Sequence, residues 1–290
     1  MATTHPVFAA WPETFRLFRT QRILFVPLGI SAGVKTTLLG LSLFAPFAPF
    51  SGFMAPFVRY FWGELYLHYP YHLALASRWF RRTDLVLPIL LEGLLMGITA
   101  LLARQLMVNH SPKLRYAFAE AFRRYPAIAI LTVIDVVALI FLIQLAILPT
   151  RILLQKIPAL TQNPFGVAFI IAFIVTVVSS AFDTLFLFAI PSCVIENRPW
   201  AGSLWHSFRM AVKSYRWIFL TVLAVTLCYL PVLVVRYGSV GLVESAWPES
   251  IFLMYLIRIL FSWVLGTLLT VWATVYLTQQ SVPVPKVGPK

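Results

Sequence analysis

The stretch Glu196 to Val225, ENRPWAGSLWHSFRMAVKSYRWIFLTVLAV, sets basic, serine-bearing and aromatic residues directly against an apolar run with no turn signal between them. Within it, Leu204, Phe208, Ala211, Val212 and Tyr215 recur at the spacing of one face of an α-helix, and Arg209, Lys213 and Arg216 fall on the other side. Ninety residues upstream, Leu114, Phe118, Ala121, Phe122 and Tyr125 stand at the same five positions, with Arg123 where the later copy has Lys213 and Arg124 beside it. There too an apolar run begins at once. A looser copy near the N-terminus, Trp11, Phe15 and Phe18 with Arg16, Arg19 and Arg22, also leads into an apolar run.

Working outward, six apolar runs are each long enough for a bilayer, which takes about 20 helical residues. They fall near 23–44, 85–108, 126–149, 165–195, 217–236 and 251–278. Pro191 is expected to kink the fourth near one end. Polar residues and then a proline follow the second, fourth and sixth runs: Asn109-His110-Ser111-Pro112, Glu196-Asn197-Arg198-Pro199 and Gln279-Gln280-Ser281-Val282-Pro283. The expected fold is therefore all-α and polytopic, one membrane domain over 1–290. Its three pseudo-repeated units, about 1–110, 111–200 and 201–290, each hold an interfacial amphipathic helix and two transmembrane helices. The plainer alternative is that loops between spans are commonly basic, aromatic and proline-containing.

Composition agrees. Of 290 residues, 60% are hydrophobic and 11% charged, with a mean hydropathy of +0.85; soluble domains are about half apolar and a quarter charged. The net charge of +13 gathers at the ends of the apolar runs. No nucleic-acid-binding motif accompanies it, so anionic lipid is the expected counter-charge and nucleic acid is not an expected partner. With the N-terminus in the cytoplasm, about twice as many basic residues fall on that side as on the other. Arg78, Arg81 and Arg82 are the main exceptions, and whether residues 51–82 re-enter the membrane is open. No cleavable signal peptide is expected. Cys193 and Cys228 lie in apolar runs, which suggests neither a disulfide framework nor zinc.

Residues 189–220, AIPSCVIENRPWAGSLWHSFRMAVKSYRWIFL, resemble a pattern of YciC-like inner-membrane proteins and of the related membrane domain of glycerophosphodiester phosphodiesterases. That pattern has an acidic residue closing a span, a small-residue turn, a serine-bearing amphipathic helix and a basic-aromatic junction. Glu196, Ser203, Ser207 and Arg216-Trp217 match it here. The resemblance implies a six-helix integral protein of the bacterial inner membrane, and it carries no catalytic residues; it is the bias of basic residues that places both termini in the cytoplasm.

Two further groups of residues bear on function. Lys35, Glu92, Asp135, Asp183 and Arg258 lie within apolar runs, where a charge costs at least about 2.5–3.5 kcal/mol. Lys35 with Glu92, and Arg258 with Asp183, are candidate pairs; the same acids could form a proton or ion pathway. Glu64, His68 and His72 are spaced i, i+4, i+8, but Pro70 interrupts any helix carrying them, and an aromatic belt reads better than a metal site. No metal, cofactor or enzyme constellation is expected. The interfacial basic residues, Arg16, Arg19, Arg22, Arg123, Arg124, Arg209, Lys213 and Arg216, are expected at lipid headgroups or covering the ends of the spans. The leading expectation is a non-enzymatic accessory or assembly protein acting on membrane lipid, a partner membrane protein or another copy of itself. The alternative is a transporter or channel that uses the buried acids.

Overall fold

The computed structural model describes residues 6–75, 83, 86–108, 110–155, 164–231, 233–234 and 249–281, and every regular element among them is helical. Helix α1 (Pro6–Thr20) leads through a short turn (Arg22–Phe25) to α2 (Val26–Phe44); α3 (Phe50–Trp62) follows. A π turn (Pro88–Glu92) opens α4 (Gly93–Met107). Next come α5 (Leu114–Arg123), α6 (Tyr125–Gln155), α7 (Pro164–Phe186) and the short α8 (Ala189–Ile195). Helices α9 (Trp200–Lys213), α10 (Tyr215–Leu227) and α11 (Ser250–Ser281) complete the described chain. Arg78, Arg81, Arg82, Lys156, Arg236 and the tail from Val282 onward lie outside the described residues.

Five segments are long and apolar enough to cross a bilayer: Arg22–Phe44, Pro88–Met107, Tyr125–Thr150, Gly166–Ile195 and Phe252–Gln280. A sixth arises if α9 and α10, bent by 99° at Ser214, count as one. This is a multi-pass, all-helical membrane architecture. The expected run 217–236 is the one that differs. Helix α10 has 13 residues, about 20 Å, and ends in a turn at 228–229; residues 230, 231, 233 and 234 are helical again. Large side chains left uncovered by protein, such as Val137, Phe141, Leu145 and Leu148 on α6, belong against lipid tails.

Three rods meet at the centre: α4, α11 and the α7–α8 rod. Helix α4 can sit there because Gly93 and Gly97 form a small-residue face. A Cβ on Gly93 would meet Thr132 Oγ1 of α6 at 2.5 Å, and one on Gly97 would meet Ile128 and Val194 at 3.3 Å. Phe188, Trp272 and Tyr276 fill the centre, with Trp272 fully buried. Around this triangle, α2 packs against α11 and α4, and α6 against α4 and α7. Helix α10 packs on α7 but makes few contacts with α11.

The amphipathic helices sit over the rods: α1 on α11, α5 on α4, and α9 on α7 and α8. Two indole N–H groups fasten α1 and the turn after it to α11, Trp272 to the Val7 carbonyl at 3.4 Å and Trp263 to the Phe25 carbonyl at 2.8 Å. Each helix buries a narrow stripe of small or hydroxyl residues. The stripe is Ala117 and Ala121 on α5 and Ser203, Ser207 and Ala211 on α9; on α1 it is Ala10 and Thr14, flanked by buried Val7 and Leu17.

The break between α7 and α8 precedes Pro191 rather than coinciding with it. Proline has no N–H for the Leu187 carbonyl four residues back, and its ring crowds that carbonyl, so the rod bends at 187–188. Helix α3 was not legible in the sequence. It buries Met54 and Val58 and exposes Phe53, Phe57 and Tyr60; at 13 residues it is too short to cross a bilayer.

Candidate functional site

The charged residues within the spans do not scatter. On α2, Lys35 is 8% exposed, and its Nζ lies 2.5 Å from Glu92 Oε1. Ser31, one turn earlier on the same helix, donates to the same oxygen at 2.6 Å. Glu92 stands at the end of the π turn, where the Gly93 N–H reaches back to the Pro88 carbonyl. The widened turn sets Glu92 at the junction of two cavities. The smaller, about 80 Å³, is lined by Ser31, Lys35, Glu92, Trp263 and Gly266 among others. The larger, about 270 Å³, is lined by Glu92, Asp135 on α6 and Asp183 on α7, with mainly apolar neighbours.

The three intramembrane acids are thus brought to one cavity, and only Glu92 has a base. Asp135 and Asp183 make no ion pair among the described residues. Both line the larger cavity, and Asp135 Oδ1 is buried without a hydrogen-bond partner. The Lys35–Glu92 pairing read from the sequence forms. The Arg258–Asp183 pairing does not: the Arg258 guanidinium lies 6.0 Å from the centre of the Tyr255 ring. Nearby hydroxyls do not help the acids, because Thr132 and Thr226 bond carbonyls of their own helices at 2.8 and 2.7 Å.

A second constellation lies at the interfacial helices. Arg19, Arg22, Arg209, Lys213 and Arg216 are exposed and make no ion pair among the described residues. Arg16 is held by Glu13 at 2.5 Å and Arg123 by Glu120 at 2.7 Å, both on the outside. Arg124 differs from the rest. It is half-buried and donates to Asn197 Oδ1, tying the α5–α6 junction to the turn after α8. Beside the basic residues, aromatic side chains stack on the outer surface: Phe118 on Phe122 on Tyr125, and Trp205 on Phe208. The apolar face inferred from the sequence is therefore split. On α5 and α9 its small residues cover the rods while Phe118, Phe122 and Phe208 face outward, whereas Trp11 and Phe18 of α1 pack against the core.

Several polar contacts escape the sequence. Ser207 donates to the Leu185 carbonyl at 2.6 Å and accepts from the Phe188 N–H at 3.1 Å, satisfying backbone groups at the α7–α8 break. Arg104 donates to the Ile195 carbonyl at 2.5 Å. Asn197 ends α8 in the left-handed region, φ 56°, which asparagine tolerates better than most residues and which is the one local signal for this turn. Glu196 pairs with Arg198 at 2.6 Å and lies 3.6 Å from His206. Partial burial moves the His206 imidazole below its ordinary pKa, against the pull of Glu196.

On the opposite side of the chain's layout, Glu64 pairs with Arg59 at 2.5 Å, which holds its carboxyl below the usual range. His68 is 4.0 Å from Glu64, and the extended backbone at His68 separates it from His72. Among the described residues no group of three His, Cys, Asp or Glu side chains is placed to hold a metal.

No family model, curated protein or solved structure matches the chain. A functional reading rests on the two constellations themselves, the acidic cavity within the bundle and the basic, aromatic rim around it.

Proposed function

We propose that the protein is a non-enzymatic accessory or assembly protein of the bacterial inner membrane that engages anionic lipid through its interfacial helices. The observation that carries this is at α9. Arg209 and Lys213 are exposed and make no ion pair among the described residues, beside outward-facing Trp205, Phe208 and Val212 on a helix turned 99° from the rod it feeds, and exposed Arg216 stands at the start of that rod. A helix so turned lies along the membrane surface when its partner enters the bilayer. Each basic residue there is worth about 1 kcal/mol with an anionic leaflet. The test is spin-label selectivity in proteoliposomes of mixed lipid. Arg209→Gln/Lys213→Gln/Arg216→Gln is expected to lower the preference for anionic over zwitterionic lipid, and an unchanged preference removes this reading.

A threefold repeat of one unit is part of the same proposal. The helix breaks at Gln21, Arg124 and Ser214 each follow by seven positions a fully buried small residue, Thr14, Ala117 or Ser207. Tyr125 and Tyr215, just after two of these breaks, donate their hydroxyls to carbonyls of Leu90 and Ala181 at 3.2 and 3.4 Å. Each amphipathic helix rests on the last rod of the unit before it, and α1 rests on the rod of the unit that comes last. These features support the repeat. With cytoplasmic termini, single cysteines at positions 115 and 209 are expected to label from inside only.

A second reading, transport, is favoured by the convergence of Glu92, Asp135 and Asp183 on one cavity. It requires an Asp183-dependent flux in proteoliposomes; a flux unchanged by Asp183→Asn removes the role.

A further inference from the structure

The three outer rods are not placed alike. Helix α2 touches both rods that flank it, and so does α6, but α10 packs on α7 and stands away from α11. The seam this leaves is lined on both sides by the same two helices. Its outer side is an open apolar groove of about 420 Å³ between Ala224, Val225 and Cys228 of α10 and Leu265 and Leu268 of α11, with Trp11 and Phe15 of α1 at one end. Its inner side is the acidic cavity, where Val222 and Thr226 of α10 face Gly266 and Leu269 of α11. Val222 and Val225 are neighbours on one helix, as are Leu268 and Leu269 on the other, so one pair of helices separates groove from cavity.

We infer that the cavity between Asp135 and Asp183 is a binding site for a lipophilic cation, admitted sideways from the bilayer through the α10–α11 seam. Three observations select this class of ligand. The cavity holds two carboxyl groups with no base, and one buried carboxyl oxygen has no hydrogen-bond partner. A positive charge answers both, whereas an anion would find no base among the lining residues. The remaining lining is apolar, which suits an organic ammonium with a hydrocarbon body rather than a hydrated metal ion. The approach is apolar as well, so the ligand arrives dissolved in lipid. Glu92 lies at the same cavity but its charge is already met by Lys35, which leaves the two aspartates as the site. This goes beyond the transport reading and stands without it.

The test is binding to the full chain in nanodiscs of zwitterionic lipid, with tritiated benzyltrimethylammonium and its uncharged carbon isostere, neopentylbenzene, as probes. The wild-type protein is expected to prefer the ammonium. Asp135→Asn/Asp183→Asn is expected to weaken it by about tenfold or more, a change of at least about 1.4 kcal/mol. Binding of neopentylbenzene stays unchanged, which also reports that the variant is folded. Ala224→Trp, which narrows the outer groove without touching the acids, is expected to slow association and dissociation alike and leave the affinity unaltered. Equal affinity for the two probes in the wild type, or a preference that survives in the double variant, overturns the site. Unaltered rates in Ala224→Trp overturn the lateral route. Binding without flux in proteoliposomes overturns the transport reading and leaves the site standing.

Discussion

Replacing Lys35 by methionine tests whether the ion pair inside the bundle is a unit. The Lys35 Nζ and Glu92 Oε1 are 2.5 Å apart, with side chains 10% and 20% exposed. At an effective dielectric constant near 20, charges at that distance attract by about 7 kcal/mol, a gross figure that desolvation of both groups largely offsets. Lys35→Met leaves Glu92 with the Ser31 hydroxyl alone. Abandoning one member of a buried pair costs about 3–5 kcal/mol. Glu92→Met leaves the ammonium stranded and is expected to cost about the same. The double variant has no stranded charge, so it is expected to be no less stable than either single one. The coupling between the positions is then at least about 3 kcal/mol. Equilibrium unfolding in mixed micelles by increasing SDS fraction, followed by circular dichroism, gives all four corners of the cycle. Additive losses, with the double variant worse than each single one by the full sum, would falsify the idea that these charges stabilise each other within the bundle.

Gly93→Ala places a methyl 2.5 Å from Thr132 Oγ1 and is expected to cost about 1–3 kcal/mol in the same titration; Gly97→Ala, whose contacts are 3.3 Å, is expected to cost less. Ser207→Ala strands the Leu185 carbonyl and the Phe188 N–H and is expected to cost about 1–3 kcal/mol. Ser203→Ala, losing a bond of 3.4 Å to the Arg198 carbonyl, is expected to cost less. His206, held below its ordinary pKa by burial, resists protonation in the fold, so the unfolded chain takes up a proton first as pH falls through its ordinary value near 6.5. Its contribution to stability is present above that pH and declines below it. Thermal stability is expected to fall between pH 7.5 and 5.5, and less steeply in His206→Gln.

The long rods were legible because hydropathy is a property of consecutive residues; five expected runs coincide with five apolar segments within a few positions. The amphipathic helices were legible for the same reason, from spacing alone. What their faces touch was not. Phe118 and Ala121 share the inferred apolar face, yet one is 50% exposed and the other buried, because only the smaller residue fits where α5 rests on α4. The Lys35–Glu92 pair could be named as a candidate but not chosen over others, since a residue's depth along a helix says nothing of its angle around the bundle. For that reason the gathering of Asp135 and Asp183 at one cavity was invisible, as was the separation of Arg258 from both. Ser207 was marked only by a resemblance. Its partners, Leu185 and Phe188, lie across a break that the proline three residues later foreshadows without locating.

The two indole bonds that fasten α1 and its turn to α11 join the start of the described chain to its end. A ribosome delivers these partners in the opposite temporal order from the one their assembly needs. While the middle of the protein is being inserted, Val7, Ala10 and Thr14 have nowhere to dock, and they must wait on the bilayer surface until Trp263 and Trp272 have been threaded in. The circle closes last, so any nascent protein stalled before α11 displays an uncovered α1 as a molecular flag of incompleteness, one that a membrane quality-control protease could read.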